Sequence, residues 1–140
     1  MEHNETAIID YTDFTITIKK VVGSRAFANK VQLIQQKYGR KDAMIDKGQL
    51  SKAQSEKVND DKTKDIAELY ADMLIQSWTG VWKNADDKVI YDFTKKKPTR
   101  DNIIDFCLNK EHQNMVADIV EQATIEANFI KEHEALEEKN

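Results

Sequence analysis

Residues 66–82 read IAELYADMLIQSWTGVW, and apolar side chains recur in them every three or four positions. Ile66, Leu69, Tyr70, Met73, Leu74, Trp78, Val81 and Trp82 therefore fall on one broad face of an amphipathic helix. The spacing predicts a single helix that ends at Trp82. A polar turn at Asn84–Asp87 follows, then an extended segment from Val89 to Tyr91, then a new helix led by Pro98 and Thr99. This order carries no chemistry of its own. It describes a helical packing module.

Composition points the same way. The chain has 140 residues, room for one domain with a real core. Charged residues make up 33%, above the usual ~25%, which suits a thin and highly solvated helical fold. Gly (4) and Pro (1) are scarce, whereas sheet-rich folds need more turn residues. The net charge of -4 argues against general nucleic-acid binding, and nucleic acid is not an expected partner. Cys107 stands alone, so no intramolecular disulfide and no cysteine-based zinc site is expected. The N-terminal residues lack the basic and apolar blocks of a signal peptide, and no run approaches the ~18 apolar residues of a membrane span. A cytoplasmic protein without a membrane partner is the expectation.

Outside the central stretch, Phe14, Ile16 and Ile18 alternate with Thr15, Thr17 and Lys19. Together with Ala7 to Ile9 they predict a short N-terminal β-hairpin, which must pack on something to be stable. Val89–Tyr91 could add a third strand. Ser24 is a candidate N-cap for a helix whose inner face holds Phe27, Val31, Ile34 and Tyr38, with Gly39 as its stop. Residues 40–63 are mostly Lys, Asp, Gln, Ser and Asn, and read as a polar, mobile connector that could order on a partner. Thr99 is the expected cap of a buried helix over Ile103–Leu108, with a break at Asn109. The expected fold is mainly α, a small helical domain with a short N-terminal β-hairpin and at most α+β. It forms one domain over residues 1–140, with a frayed acidic tail at 131–140.

A final helix is expected from Glu111 towards Glu137, and it shows two apolar stripes. Val116, Ile119, Val120, Ala123, Ala127 and Ile130 form the first, pointing inward. Ile125, Phe129 and Leu136 lie on the opposite side. Either the helix is sandwiched or bent near Asn128, or these three residues form an exposed strip that docks a partner.

Candidate chemistry is thin. His112 and His133 are 21 positions apart on one expected helix, too far to share a metal, and His3 sits near the terminus. Cys107 lies in an apolar helix, where a free cysteine is usually a small core residue. Asp60–Asp61 and Asp86–Asp87 lack the calcium-loop pattern. No catalytic residue, metal or cofactor is expected. The one basic run is Lys95, Lys96 and Lys97, followed by Arg100. It is a secondary candidate surface, and it carries the alternative function of a small phage or host nucleic-acid-associated regulator.

The order of elements resembles the tail assembly chaperones of long-tailed bacteriophages and their prophages. The resemblance rests on an N-terminal strand pair leading into helix, a helix that ends in Ser77–Trp82, the polar turn and extended segment Asp86–Tyr91, the Pro98-led apolar helix and a last helix carrying Phe129. It covers roughly residues 8–20 and 64–130. It implies a non-enzymatic protein of the host bacterial cytoplasm, absent from the mature virion. Such a protein binds the tape measure protein and helps recruit tail tube subunits, and it is commonly made in a short and a frameshifted longer form. Ile125, Phe129 and Leu136 would then be the partner strip. A possible homo-oligomer would gain avidity on a long client.

Overall fold

The computed structural model describes residues 5–130. The elements run β1 (Thr6–Asp10), β2 (Phe14–Lys19), α1 (Arg25–Asp46), α2 (Lys52–Met73), β3 (Ile75–Lys83), β4 (Val89–Asp92), α3 (Arg100–Leu108) and α4 (Gln113–Thr124). Two 3₁₀ turns, Lys110–His112 and Glu126–Phe129, flank α4. The four strands form one antiparallel sheet in the order β1-β2-β3-β4. The fold is therefore α+β, and the expectation of a mainly α domain is corrected.

The correction comes from the central stretch. Helix α2 stops at Met73, and Ile75–Lys83 is a strand rather than the continuation of that helix. Trp78 and Trp82 are four apart, a spacing that fits both a helix face and one side of a strand. Gly80 decides between them. Its φ is +99°, and a Cβ there would stand 2.5 Å from the Asp13 carbonyl oxygen and from Phe14 Cα. Only glycine lets β2 and β3 approach this closely. In register, Phe14 pairs with Gly80 and Ile16 with Trp78.

Local signals set the remaining strands. Hairpin β1–β2 closes through Asp10, whose carboxylate accepts the Thr12 N–H at 2.7 Å. Hairpin β3–β4 closes through Asn84, whose side-chain oxygen accepts from the N–H groups of Asp86 (2.9 Å) and Lys88 (3.0 Å). Val89–Asp92 does join the sheet, but on β3 rather than on the N-terminal hairpin.

The sheet buries one face. Phe14, Ile16, Ile18 and Trp78 turn inward, while Thr15, Thr17, Ser77 and Thr79 occupy the opposite side. Helices α3 and α4 cover the inner face with Ile103, Phe106, Val116, Ile119 and Ala123. An aromatic cluster joins sheet to helix. The Phe106 ring lies 5.5 Å from Trp78, 5.0 Å from Tyr91 and 4.3 Å from His112, between ring centroids. Trp78 Nε1 donates to the Lys96 carbonyl at 2.7 Å, so the buried indole N–H is satisfied.

Helices α1 and α2, each of 22 residues, form an antiparallel hairpin. The expected connector at 40–63 is accordingly replaced by helix over 40–46 and 52–63. Gly39 does not stop α1, and Ser51 opens α2 with a capping box to Gln54. Polar pairs set the hairpin's register. Asp65 accepts from Tyr38 Oη at 2.7 Å and from Lys37 Nζ at 2.8 Å, and Lys62 pairs with Asp42 at 2.8 Å. Ser24 and Thr99 cap α1 and α3 as expected.

Gly80→Ala should lower stability by about 2–4 kcal/mol, combining left-handed strain with the clash against β2. Urea denaturation checks this. A loss below about 1 kcal/mol would show that the β2–β3 approach tolerates a side chain.

Candidate functional site

Helices α2 and α4 both flank α3, and between them lies an open cleft of about 420 Å³. One wall is Ile66, Ala67 and Tyr70 of α2. The other is Val116, Ala117 and Val120 of α4, and Cys107 of α3 contributes to the floor. Each wall follows from helical spacing: positions i and i+4 on α2, and i, i+1 and i+4 on α4, share a face. Thr63 and Gln113 are the polar lining residues, and none of the lining residues is charged. Gln113 is occupied at the end of α3, donating to the carbonyls of Cys107 (2.9 Å) and Asn109 (2.8 Å).

Nothing in the cleft is poised for nucleophilic chemistry. Burial pushes the Cys107 thiol up to about 12, so it stays protonated at neutral pH. Burial also raises the Tyr70 phenol. His112 is 2% exposed, and its Nδ1 donates to the Phe106 carbonyl at 2.9 Å. It stacks within the aromatic cluster and serves as a core residue joining α3 to α4. Among the described residues no group of three His, Cys, Asp or Glu could hold a metal ion. His3 and His133 lie outside the described residues. No helix among the described residues is long and apolar enough to cross a membrane.

The expected partner strip is corrected. Phe129 is 0% exposed and sits in the core, and Ile125 is 39% exposed just past the end of α4. Leu136 and the expected acidic tail at 131–140 lie outside the described residues. The strip fails because α4 ends at Thr124, well short of Glu137. The Asn128 side chain turns back and donates to the Gln122 carbonyl at 2.9 Å, closing the helix end. The chain then folds Phe129 inward. The inward stripe holds for Val116, Ile119 and Ala123, which are buried, while Val120 is half-buried and lines the cleft; past the end of α4 the stripe fails, with Ala127 exposed and Ile130 half-buried.

The basic run is partly committed. Arg100 grips Asp72 through Nε at 2.7 Å and a second nitrogen at 3.3 Å, and Lys95 lies 4.0 Å from Asp92. The backbones of Lys96 and Lys97 are held by Trp78 and Asn102.

The apolar face of α4 was readable from its spacing, but its opposite wall was not. Ile66 and Tyr70 were expected in the core of one long helix. They are half-exposed because α4 stands apart from α2 and leaves the space between them empty.

No protein family, curated protein or solved structure matches this chain.

Phe129→Asp should cost at least about 4 kcal/mol, because it removes a buried ring and places a charge in the core. The cooperative thermal transition seen by circular dichroism should drop sharply or vanish. A near-native melting temperature would return Phe129 to the surface.

Proposed function

We propose that this chain is a tail assembly chaperone of a long-tailed phage or prophage, acting by binding rather than by turnover. Its client is the tape measure protein, and it helps bring tail tube subunits to that client. The N-terminal strand pair, the polar turn and the Pro98-led helix support this reading, whereas the other two elements behind the resemblance do not, since Ser77–Trp82 lies in a strand and Phe129 lies beyond α4. The uncharged cleft between α2 and α4 supplies the mode of action.

The cleft carries the reading. It is apolar, open and flanked by two helices, so a third helix can lay one apolar stripe between them. A long helical client that has not yet assembled exposes such stripes, and covering them keeps it soluble. An uncharged lining suits an apolar stripe and offers nothing to a phosphate backbone. The nucleic-acid alternative depends on Lys95–Lys97 and Arg100, and Arg100 is already engaged by Asp72.

Ala117 is exposed on the rim of the cleft, and glutamate is a good helix former there. Ala117→Glu should leave the fold intact and put a charge where the client's apolar stripe lies. The test is co-expression with the long helical protein encoded immediately downstream, followed by pull-down. The wild type should hold that protein in a soluble complex, and Ala117→Glu should reduce its recovery about tenfold, a loss of roughly 1.4 kcal/mol. A complex indifferent to Ala117→Glu would remove the cleft from the mechanism. No complex, with the downstream protein soluble alone, would remove the chaperone reading itself.

A further inference from the structure

The other flank of α2 carries a second cleft of about 310 Å³, shared with α1 and floored by Leu33, Ile34, Leu69 and Met73. Leu33 is 57% exposed there, although it sits on an ordered helix and beside an apolar surface. Helix α1 leans on α2 and buries one residue fully, Tyr38. Two helices joined side by side with an apolar cleft along their open face are half of a four-helix bundle.

Charge specifies the other half. Residues 25–41 contain Arg25, Lys30, Lys37, Arg40 and Lys41 and no acidic residue. Lys30, Lys37 and Lys41 fall on one stripe of α1 beside the cleft, and Asp61, Asp65, Glu68 and Asp72 form the facing stripe of α2. Within one chain Lys37 already pairs with Asp65, Lys57 with Asp61 and Arg100 with Asp72, so the charges the hairpin offers beside its apolar trough are Lys30 on α1 and Glu68 on α2. A twofold axis parallel to the helices lays α1 of one copy on α2 of the other. Lys30 then meets Glu68 of the other copy twice, and each Leu33 enters the trough of the other copy near Leu69 and Met73. Helices in contact across this interface run antiparallel. A twofold axis across the helices would instead stack basic on basic.

From this self-complementarity we infer that the α1–α2 hairpin is a dimerisation arm whose partner is a second copy of this chain. The size fits. Helices of this length extend about 33 Å, and two side by side cover on the order of 700 Å² per copy, near the ~800 Å² per partner of a standard interface. The inference does not depend on the tail-assembly reading, because it uses the opposite flank of α2.

Light scattering on the full chain across roughly 5–500 µM tests it. The mass should approach twice 16.2 kDa at the upper end. Leu33→Glu should hold the chain as a monomer with unchanged helicity by circular dichroism. Lys30→Glu and Glu68→Lys should each weaken self-association at least about tenfold, because each variant opposes like charges in its own homodimer. Mixing those two variants should restore a dimer, since each complements the other. A chain that stays monomeric throughout overturns the inference, as does a dimer unaffected by Leu33→Glu. Failure of the mixed variants to pair would also overturn it.

Discussion

The close approach of β3 to β2 at Gly80 is the constraint on which the rest of the structure depends. With no Cβ at that position, the two backbones come together and Trp78 and Trp82 swing to the inner face of the sheet. There they meet Phe106 and His112, and through them α3 and α4 are seated on the strands. Because α2 runs directly into β3, fixing β3 also fixes where α2 leaves the sheet. Its two flanks are then defined: one faces the gap towards α4, the other faces α1.

This arrangement divides work by chemistry. The α2–α4 flank is uncharged and lined with Ile66, Tyr70, Val116 and Val120. The α1–α2 flank sets its apolar trough between Lys30 and Glu68. An uncharged trough accepts many apolar stripes with little regard for sequence, which would suit the proposed helical client. A trough bounded by opposite charges is selective for one complementary surface. Two copies joined by the selective surface would present two permissive ones, and a long client gripped at two points is held more tightly than at one. Cys107 and His112, the residues that chemistry would use first, instead contribute volume and a helix-end hydrogen bond.

What could be read from the sequence was local. The alternation of Phe14, Ile16 and Ile18, the caps Ser24 and Thr99, the turn at Asn84 and the break at Asn109 each rest on a few adjacent residues, and each is present. What could not be read depended on distant partners or on a spacing with two meanings. Trp78 and Trp82 satisfy a helix and a strand equally, and the deciding residue, Gly80, matters because Phe14 lies 66 positions earlier in the chain. Residues 40–63 looked too polar to fold because their helices are held by Tyr38–Asp65 and Lys62–Asp42, pairs that no periodicity reveals. The candidate site was not legible as a site, because the apolar face of α4 was expected to be core. The face of α4 followed from its spacing, but the empty space opposite it is a property of how α2 and α4 are set apart by α3. Phe129 was misplaced because its stripe was continued past Ile125, where the backbone turns extended.

The central claim is that residues 75–83 form a strand in the middle of the sheet, and nuclear Overhauser contacts test it most directly. The account predicts cross-strand contacts between Ile16 and Trp78 and between Thr15 and Thr79, with no helical i to i+3 contacts from Ile75 to Lys83. Helical contacts running unbroken from Ile66 to Trp82 would contradict it, and with it the placement of both clefts.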